Sequence, residues 1–266
     1  MKQRIITAII AAALFIPFVI YGKVPFAILV LAMAIVGFYE ILKMKGISIF
    51  SVPGFLGLVT LILLVIPNDW SEKVVDLIGY SSNLMVVYGL MMLLLIYVVL
   101  VKNKITFDEV GFILLGAFYV GLGFHYLIET RNVGLEYVVY CLLVVWTTDS
   151  GAYFVGRKFG KNKLWPEISP KKTIEGFIGG IVIAVIFAVG MQLIYPFEDG
   201  YISLVVVTIF ASIIGQMGDL VESAIKRHFD VKDSGNILPG HGGILDRFDS
   251  LLFVVPLLHF LNLFGN

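Results

Sequence analysis

The chain has 266 residues, of which 59% are hydrophobic and only 14% charged, and its mean hydropathy is +0.97. A soluble domain carries about a quarter charged residues, so this composition excludes one and points to a polytopic membrane protein with lipid-facing surplus surface. Basic and acidic residues cancel to zero net charge, which leaves no electrostatic footprint for nucleic acid. The single cysteine, Cys141, excludes an internal disulfide and reads as a small buried hydrophobe.

At the N-terminus Lys2 and Arg4 precede a long apolar run with no small-residue cleavage site. That run reads as a first spanning helix rather than a signal peptide. About 17–25 apolar residues cross a bilayer as helix. By this measure nine spans are expected: Ile5–Tyr21, Val24–Leu42, Val52–Ile66, Leu84–Val101, Val110–Leu127, Tyr137–Val155, Ile174–Tyr195, Ile202–Met217 and Ser250–Phe264. With these spans, sixteen of the nineteen basic residues fall on one side and only Lys23, Lys73 and Arg131 on the other. Positive residues favour the cytoplasm, which puts the N-terminus and both large polar loops inside and the C-terminus outside. The expected fold is all-α, a single transmembrane domain over 1–266 with about nine helices.

Residues 1–136 offer little chemistry and read mainly as membrane scaffold. Glu40, His125 and Glu129 fall near expected interfaces and read as interfacial anchors. Glycine pairs at small-residue spacing, Gly156 with Gly160 and Gly176 with Gly180, allow close helix approach.

Residues 137–266 read as the catalytic half. The sixth span ends in Thr147, Thr148, Asp149 and Ser150, and an ionisable residue at membrane depth is costly and usually functional. A cationic loop follows, and its Ser169-Pro170-Lys171-Lys172-Thr173 run is expected to enter the seventh helix. Hydroxyls and paired lysines at a helix start, where N–H groups and the dipole attract anions, suit phosphate.

Past the eighth span, Asp219, Ser223 and Lys226 share one helical face, with Glu222 beside them. Asp246 and Asp249, at i and i+3, are expected on one face at the start of the ninth helix. Mg2+ takes one or two carboxylates plus waters and substrate phosphates, so these aspartates suit a Mg–nucleotide complex better than an all-protein cage. Between them, Pro239-Gly240-His241-Gly242-Gly243 is either a tight turn or a place where backbone amides approach phosphate. His241 is either a donor to pyrophosphate or a solvated loop residue, and His228 and His259 read as incidental.

Taken together, Ser223-x-x-Lys226-Arg227, Lys232-Asp233, Leu238-Pro239-x-His241-Gly242-Gly243, Asp246-Arg247 and Asp249 resemble the pattern of the phosphatidate cytidylyltransferase (CDP-diacylglycerol synthase) family. No charged or glycine position departs from it. The segment with Asp149, Gly151-Ala152-Tyr153, Gly156-Arg157, Gly160 and Ser169 to Gly176 is similar to that family as well, so the motifs cover about 149–249. The resemblance implies transfer of the cytidylyl group of CTP to phosphatidate, giving CDP-diacylglycerol and pyrophosphate. It implies Mg2+, with a second cation left open, bound by Asp219 and Asp246 with Asp149 and Asp249 nearby. Ser223, Lys226, Arg227, Lys232, Asp233, Arg247, His241, Gly242 and Gly243 would serve phosphate and headgroup, with Ser169, Lys171 and Lys172 assisting. It further implies a multi-pass protein of the plasma membrane with a cytoplasmic site and, since related members are dimeric, a homodimer.

Three rivals are weighed against it. A carrier would want a mid-membrane site and an inverted repeat, and no repeat is seen. A cytidylyltransferase acting on another lipid phosphate, such as an isoprenoid one, would differ only in apolar residues. A CDP-alcohol phosphotransferase would want an aspartate pattern along two helices after an Asp-Gly pair, which the chain lacks.

Overall fold

The computed structural model describes residues 2–77, 82–197 and 200–261, and these are overwhelmingly helical. In chain order the helices are α1 (Lys2–Tyr21), α2 (Lys23–Met44), α3 (Val52–Val65), α4 (Asn68–Leu77), α5 (Asn83–Leu100), α6 (Phe107–Val133) and α7 (Leu135–Phe159). Then come two short strands, β1 (Lys163–Trp165) and β2 (Ser169–Thr173), followed by α8 (Ile174–Ile194), α9 (Gly200–His228), α10 (Leu245–Phe248) and α11 (Leu251–Phe260). The protein is an all-α polytopic membrane protein with one small hairpin.

Six of these helices, α2 and α5 to α9, are long and apolar enough to cross a membrane. Three shorter apolar helices lie in α1, α3 and α11. Each expected span thus has an apolar helix, but α3 and α11 are shorter than a bilayer crossing needs. At 1.5 Å per residue, the 14 residues of α3 reach about 21 Å and the 10 of α11 about 15 Å, against a hydrocarbon core of about 30 Å. Pro67 follows Ile66 at the end of α3, and a residue before proline is pushed out of helical conformation. Residues 262–264 of the expected last span lie outside the described residues.

The chain divides into two compact units. The first comprises Met1–Glu129 with Ser234–Ile244, and the second Thr130–Asp233 with Leu245–Asn266. In the first, Leu63, Ile66 and Val87 form one small core, and Leu94, Val98 and Val110 another. The two residues expected as interfacial anchors on α6 serve as caps of neighbouring helices. His125 Nδ1 lies 3.2 Å from the carbonyl oxygen of Ile66, just past α3, and the amide of Asn68, at the start of α4, donates to Glu129 Oε1 at 3.4 Å. Both satisfy backbone groups that helix ends leave unpaired.

In the second unit α7, α8, α9 and α11 pack together. The approach of α7 and α8 depends on glycine: a Cβ at Gly176 would strike the Ala152 carbonyl, and one at Gly180 the Thr148 carbonyl. Several buried polar side chains in this unit pair with one another, as burial favours. Tyr140 and Thr208 hydroxyls meet at 2.8 Å, Thr148 donates to Ser212 at 2.9 Å, and His259 meets Thr130 at 2.9 Å. Cys141 is buried and carries no disulfide.

Candidate active site

The second unit gathers its ionisable side chains where α7, β2, α9 and α10 come together. Two helices run past the length a bilayer needs: α7 with 25 residues reaches about 38 Å and α9 with 29 about 43 Å. Sequence patterning ended the corresponding spans at Val155 and Met217; both continue unbroken, so Asp149 and Asp219 sit on rigid helix rather than at frayed ends.

The loop after α7 also differs from expectation. Ser169 to Thr173 does not begin a helix; it is a strand, paired antiparallel with β1 through Lys163 opposite Thr173 and Trp165 opposite Ser169. Thr173 then caps α8, its hydroxyl accepting from the Gly176 amide at 3.1 Å. Glu175 ties the chain before the hairpin to the same helix start, accepting from the Lys161 amide at 3.0 Å and the Asn162 side chain at 2.8 Å. These bonds hold the extended run in place beside the start of α8.

A cavity of about 330 Å3 opens here, within the size range of small-molecule sites. Asp149, Tyr153 and Arg157 of α7, Lys171 and Lys172 of β2, and Gln216 and Asp219 of α9 are among its lining. Lys172 Nζ sits 2.7 Å from Asp219 Oδ2, and the Ser223 hydroxyl donates to Asp219 Oδ1 at 3.3 Å one helical turn on. The charge of Arg247 reaches Asp149. Cations and carboxyl groups thus face one another across the cavity, as a site for a polyanion with a bound metal requires.

Beside it lies a more buried cluster. Lys226 Nζ is 2.6 Å from Glu222 Oε2 and 2.6 Å from Asp246 Oδ1. Glu222 is fully buried, and the Asp246 side chain is only 5% exposed. The sequence reading gave Lys226 to the phosphates; here its ammonium bridges two carboxyl groups. Asp246 lies in the four-residue α10, and Asp249 follows in the gap before α11, so the pair is not on one continuous helix. The Asp249 amide nevertheless donates to the Leu245 carbonyl at 2.9 Å, keeping the turn helical. Burial pushes the Asp249 carboxyl above the usual carboxylate range, with the charges of Asp219 and Asp149 adding to the rise, against a 2.7 Å bond from the Ser250 amide.

The remaining sequence candidates lie elsewhere. Arg227, Lys232 and Asp233 are exposed, and Arg227 donates to the Val231 carbonyl at 3.4 Å. Ser169 opens β2 and does not line the cavity. His241, Gly242 and Gly243 belong to the first unit. Tyr153, Arg157, Gln216 and Glu222 were not singled out as site residues. Gln216 and Glu222 each stand three residues from Asp219, a helical signal that was available.

The oxygen-only donor set suits a hard cation such as Mg2+. Among the described residues no three His, Cys, Asp or Glu side chains stand close enough to enclose a metal. A cation here would therefore draw on few carboxylates and complete its shell with water and phosphate oxygens, the coordination Mg2+ favours.

Comparison with known proteins agrees over nearly the full chain. The model of the cytidylyltransferase family matches residues 2–264. A Bacillus subtilis (strain 168) protein named phosphatidate cytidylyltransferase is 56% identical over 264 residues, covering 98% of this chain and 97% of the relative. Proteins of the same name from Staphylococcus haemolyticus (strain JCSC1435) and Staphylococcus saprophyticus (strain ATCC 15305) are 47% and 46% identical, each covering 98% of both chains.

Proposed function

The chain belongs to the cytidylyltransferase family, and on that premise we propose that it transfers the cytidylyl group of CTP to phosphatidate, giving CDP-diacylglycerol and pyrophosphate. It is a nucleotidyltransferase of phospholipid biosynthesis. The observation that carries the reading is the cavity where Lys171, Lys172 and Arg157 face Asp149 and Asp219. It joins the charges a nucleoside triphosphate and its cation need, on a protein whose helices suit a lipid substrate.

A phosphomonoester has a second pKa near 6, so the headgroup of phosphatidate is already an anionic nucleophile at neutral pH. Its oxygen bonds to the α-phosphorus of CTP while the bond from that phosphorus to the bridging oxygen of pyrophosphate breaks. No proton must be removed first, and no general base is assigned. Positioning and charge neutralisation dominate such transfers. Asp219 and Asp246 would hold Mg2+, with Asp149 and Asp249 close by and a second cation accommodated among them. When bound, the cation neutralises triphosphate charge and orients the α-phosphate for attack.

Lys171, Lys172 and Arg157 bind phosphate oxygens from the β2 and α7 sides, and Arg247 approaches from α10. Ser223 orients Asp219, while Lys226 fixes Asp246. Arg227 at the exposed end of α9, and Lys232 and Asp233 in the loop after it, serve the headgroup or departing pyrophosphate, and Ser169 supports the lysines at the start of β2. His241, Gly242 and Gly243 offer donors to the triphosphate. The enzyme would act as a homodimer in the plasma membrane, its site facing the cytoplasm by the distribution of basic residues.

The test is pyrophosphate release by the detergent-purified protein given phosphatidate and CTP, with and without Mg2+, and with ATP in place of CTP. Metal-dependent release with CTP alone is the expected result. Turnover with an isoprenoid phosphate but not phosphatidate would overturn the assigned lipid, and no release with any lipid would overturn the reaction.

A further inference from the structure

Gln216 lines the cavity of the second unit, yet no step of the reaction engages it. It lies on α9, three residues before Asp219, and is only 4% exposed. A side-chain amide removed from water is costly unless its polar atoms find partners. One end of this amide has them. Nε2 donates to the Phe177 carbonyl of α8 at 3.2 Å and to the Ser212 carbonyl, one turn back on α9, at 3.4 Å. Both partners are acceptors only, so the nitrogen must face them, and the two ends of the amide are thereby assigned. Among the described residues no donor reaches Oε1, and it is not sealed off in the interior. The cavity wall thus carries a hydrogen-bond acceptor of fixed position and fixed polarity.

The lining around it suits a flat ring. Gly156 of α7 and Gly176 of α8 offer bare backbone, and neither has room for a Cβ: one at Gly156 would crowd Thr173 Oγ1, and one at Gly176 the Ala152 carbonyl. Tyr153 and Phe177 add aromatic side chains, on which nucleic-acid bases stack. The phosphate-binding groups are close by. Lys172 meets Asp219 at 2.7 Å, and Gln216 precedes Asp219 by about 4.5 Å along the helix axis.

We propose that Gln216 reads the base of the nucleotide: its Oε1 accepts from the exocyclic 4-amino group of cytosine and so selects CTP over UTP. This rests on the cytidylyltransfer reading. Uracil presents a carbonyl oxygen where cytosine has its amino group, which sets two acceptors against each other. The amide cannot turn to answer it without giving up its bonds to Phe177 and Ser212. Adenine also bears such an amino group, so this contact separates CTP from UTP rather than from ATP.

The experiment measures kcat/KM for pyrophosphate release by the purified full-length wild type and Gln216→Leu. The nucleotides are CTP, UTP and the triphosphate of the cytidine analogue that lacks the 4-amino group. Wild type should prefer CTP over UTP by about 100-fold or more, and over the analogue by about tenfold. In Gln216→Leu, CTP and the analogue should come within about twofold of each other, and the preference over UTP should fall by about tenfold or more. A purely structural Gln216 would lower all three nucleotides alike, so an unchanged CTP-to-UTP ratio in the folded variant overturns the proposal. Wild type that uses the analogue as well as CTP also overturns it, a result that needs no variant to fold. If the wild type releases no pyrophosphate with any of the three, the function reading fails by itself. Equilibrium binding of labelled CTP and UTP to both proteins then decides on Gln216: a CTP preference lost in Gln216→Leu upholds the contact, and no preference in wild type overturns it.

Discussion

Lys226 stands between Glu222 and Asp246, 2.6 Å from each, in surroundings that leave its own side chain 13% exposed. Burying such charges is repaid only while all partners are present; removing one from a buried cluster costs about 3–5 kcal/mol. Lys226→Ala should therefore lower unfolding stability in detergent by about that amount, and Lys226→Met combined with Glu222→Gln should recover part of it. Unchanged stability would show the cluster to be solvated and weak. Asp246→Asn is a milder case, because the carboxamide keeps an oxygen to accept from Lys226 and Lys226 keeps Glu222. Losing the carboxylate should still cut kcat by about 100-fold or more, the scale of a lost electrostatic group in an active site. Near-normal turnover in Asp246→Asn would remove Asp246 from the metal site. Sequence spacing placed Asp219, Ser223 and Lys226 on one face, because helical period alone fixes that; Lys226 engaging carboxyl groups depended on where α10 returns.

At the scale of elements, the hairpin and the α7–α8 contact set the geometry. β2 delivers Lys172 to Asp219 at 2.7 Å, with both groups partly exposed, so its structural worth is small. Its value should instead appear in binding: Lys172→Ala is expected to raise KM for CTP or phosphatidate about tenfold, or about 1.4 kcal/mol, with little change in thermal unfolding. Equal kinetics would strike Lys172 from the site. Gly180 is the opposite case, because its neighbour is the rigid Thr148 carbonyl. Gly180→Val should cost about 1–3 kcal/mol through overpacking, seen as a lower unfolding midpoint, and a wild-type midpoint would mean the helices yield. The glycine spacing was readable in advance. The hairpin was not, since five residues of strand with a proline carry too little pattern to outweigh the helix that follows. His125 and Glu129 show the same limit, for a cap is recognised only once the helix end it serves is known.

At the scale of the whole molecule, apolar faces such as those of α5, where Leu84, Met92 and Ile96 are exposed, suit hydrocarbon. Under the proposed function, the scarcity of clustered metal ligands among the described residues would leave the cation exchangeable with the nucleotide complex. A chelator should therefore abolish pyrophosphate release without unfolding the protein, and Mg2+ should restore it. Activity that survives exhaustive chelation would exclude a metal role. Ser234–Ile244 packs within the first compact unit, around Glu40.

The sequence by itself determined the membrane class, the approximate positions of the apolar helices and the charged motif whose spacing marks the family. These properties depend on composition and on periodicity within single segments, which need no partner to be read. Only the tertiary structure decided that Lys226 bridges Glu222 and Asp246, that Lys172 reaches Asp219 from a strand, and that Glu40 closes the glycine loop. Each joins residues far apart in the chain or buried beside a neighbour. Burial and hydrogen-bond partnership come from packing and leave no period in the sequence.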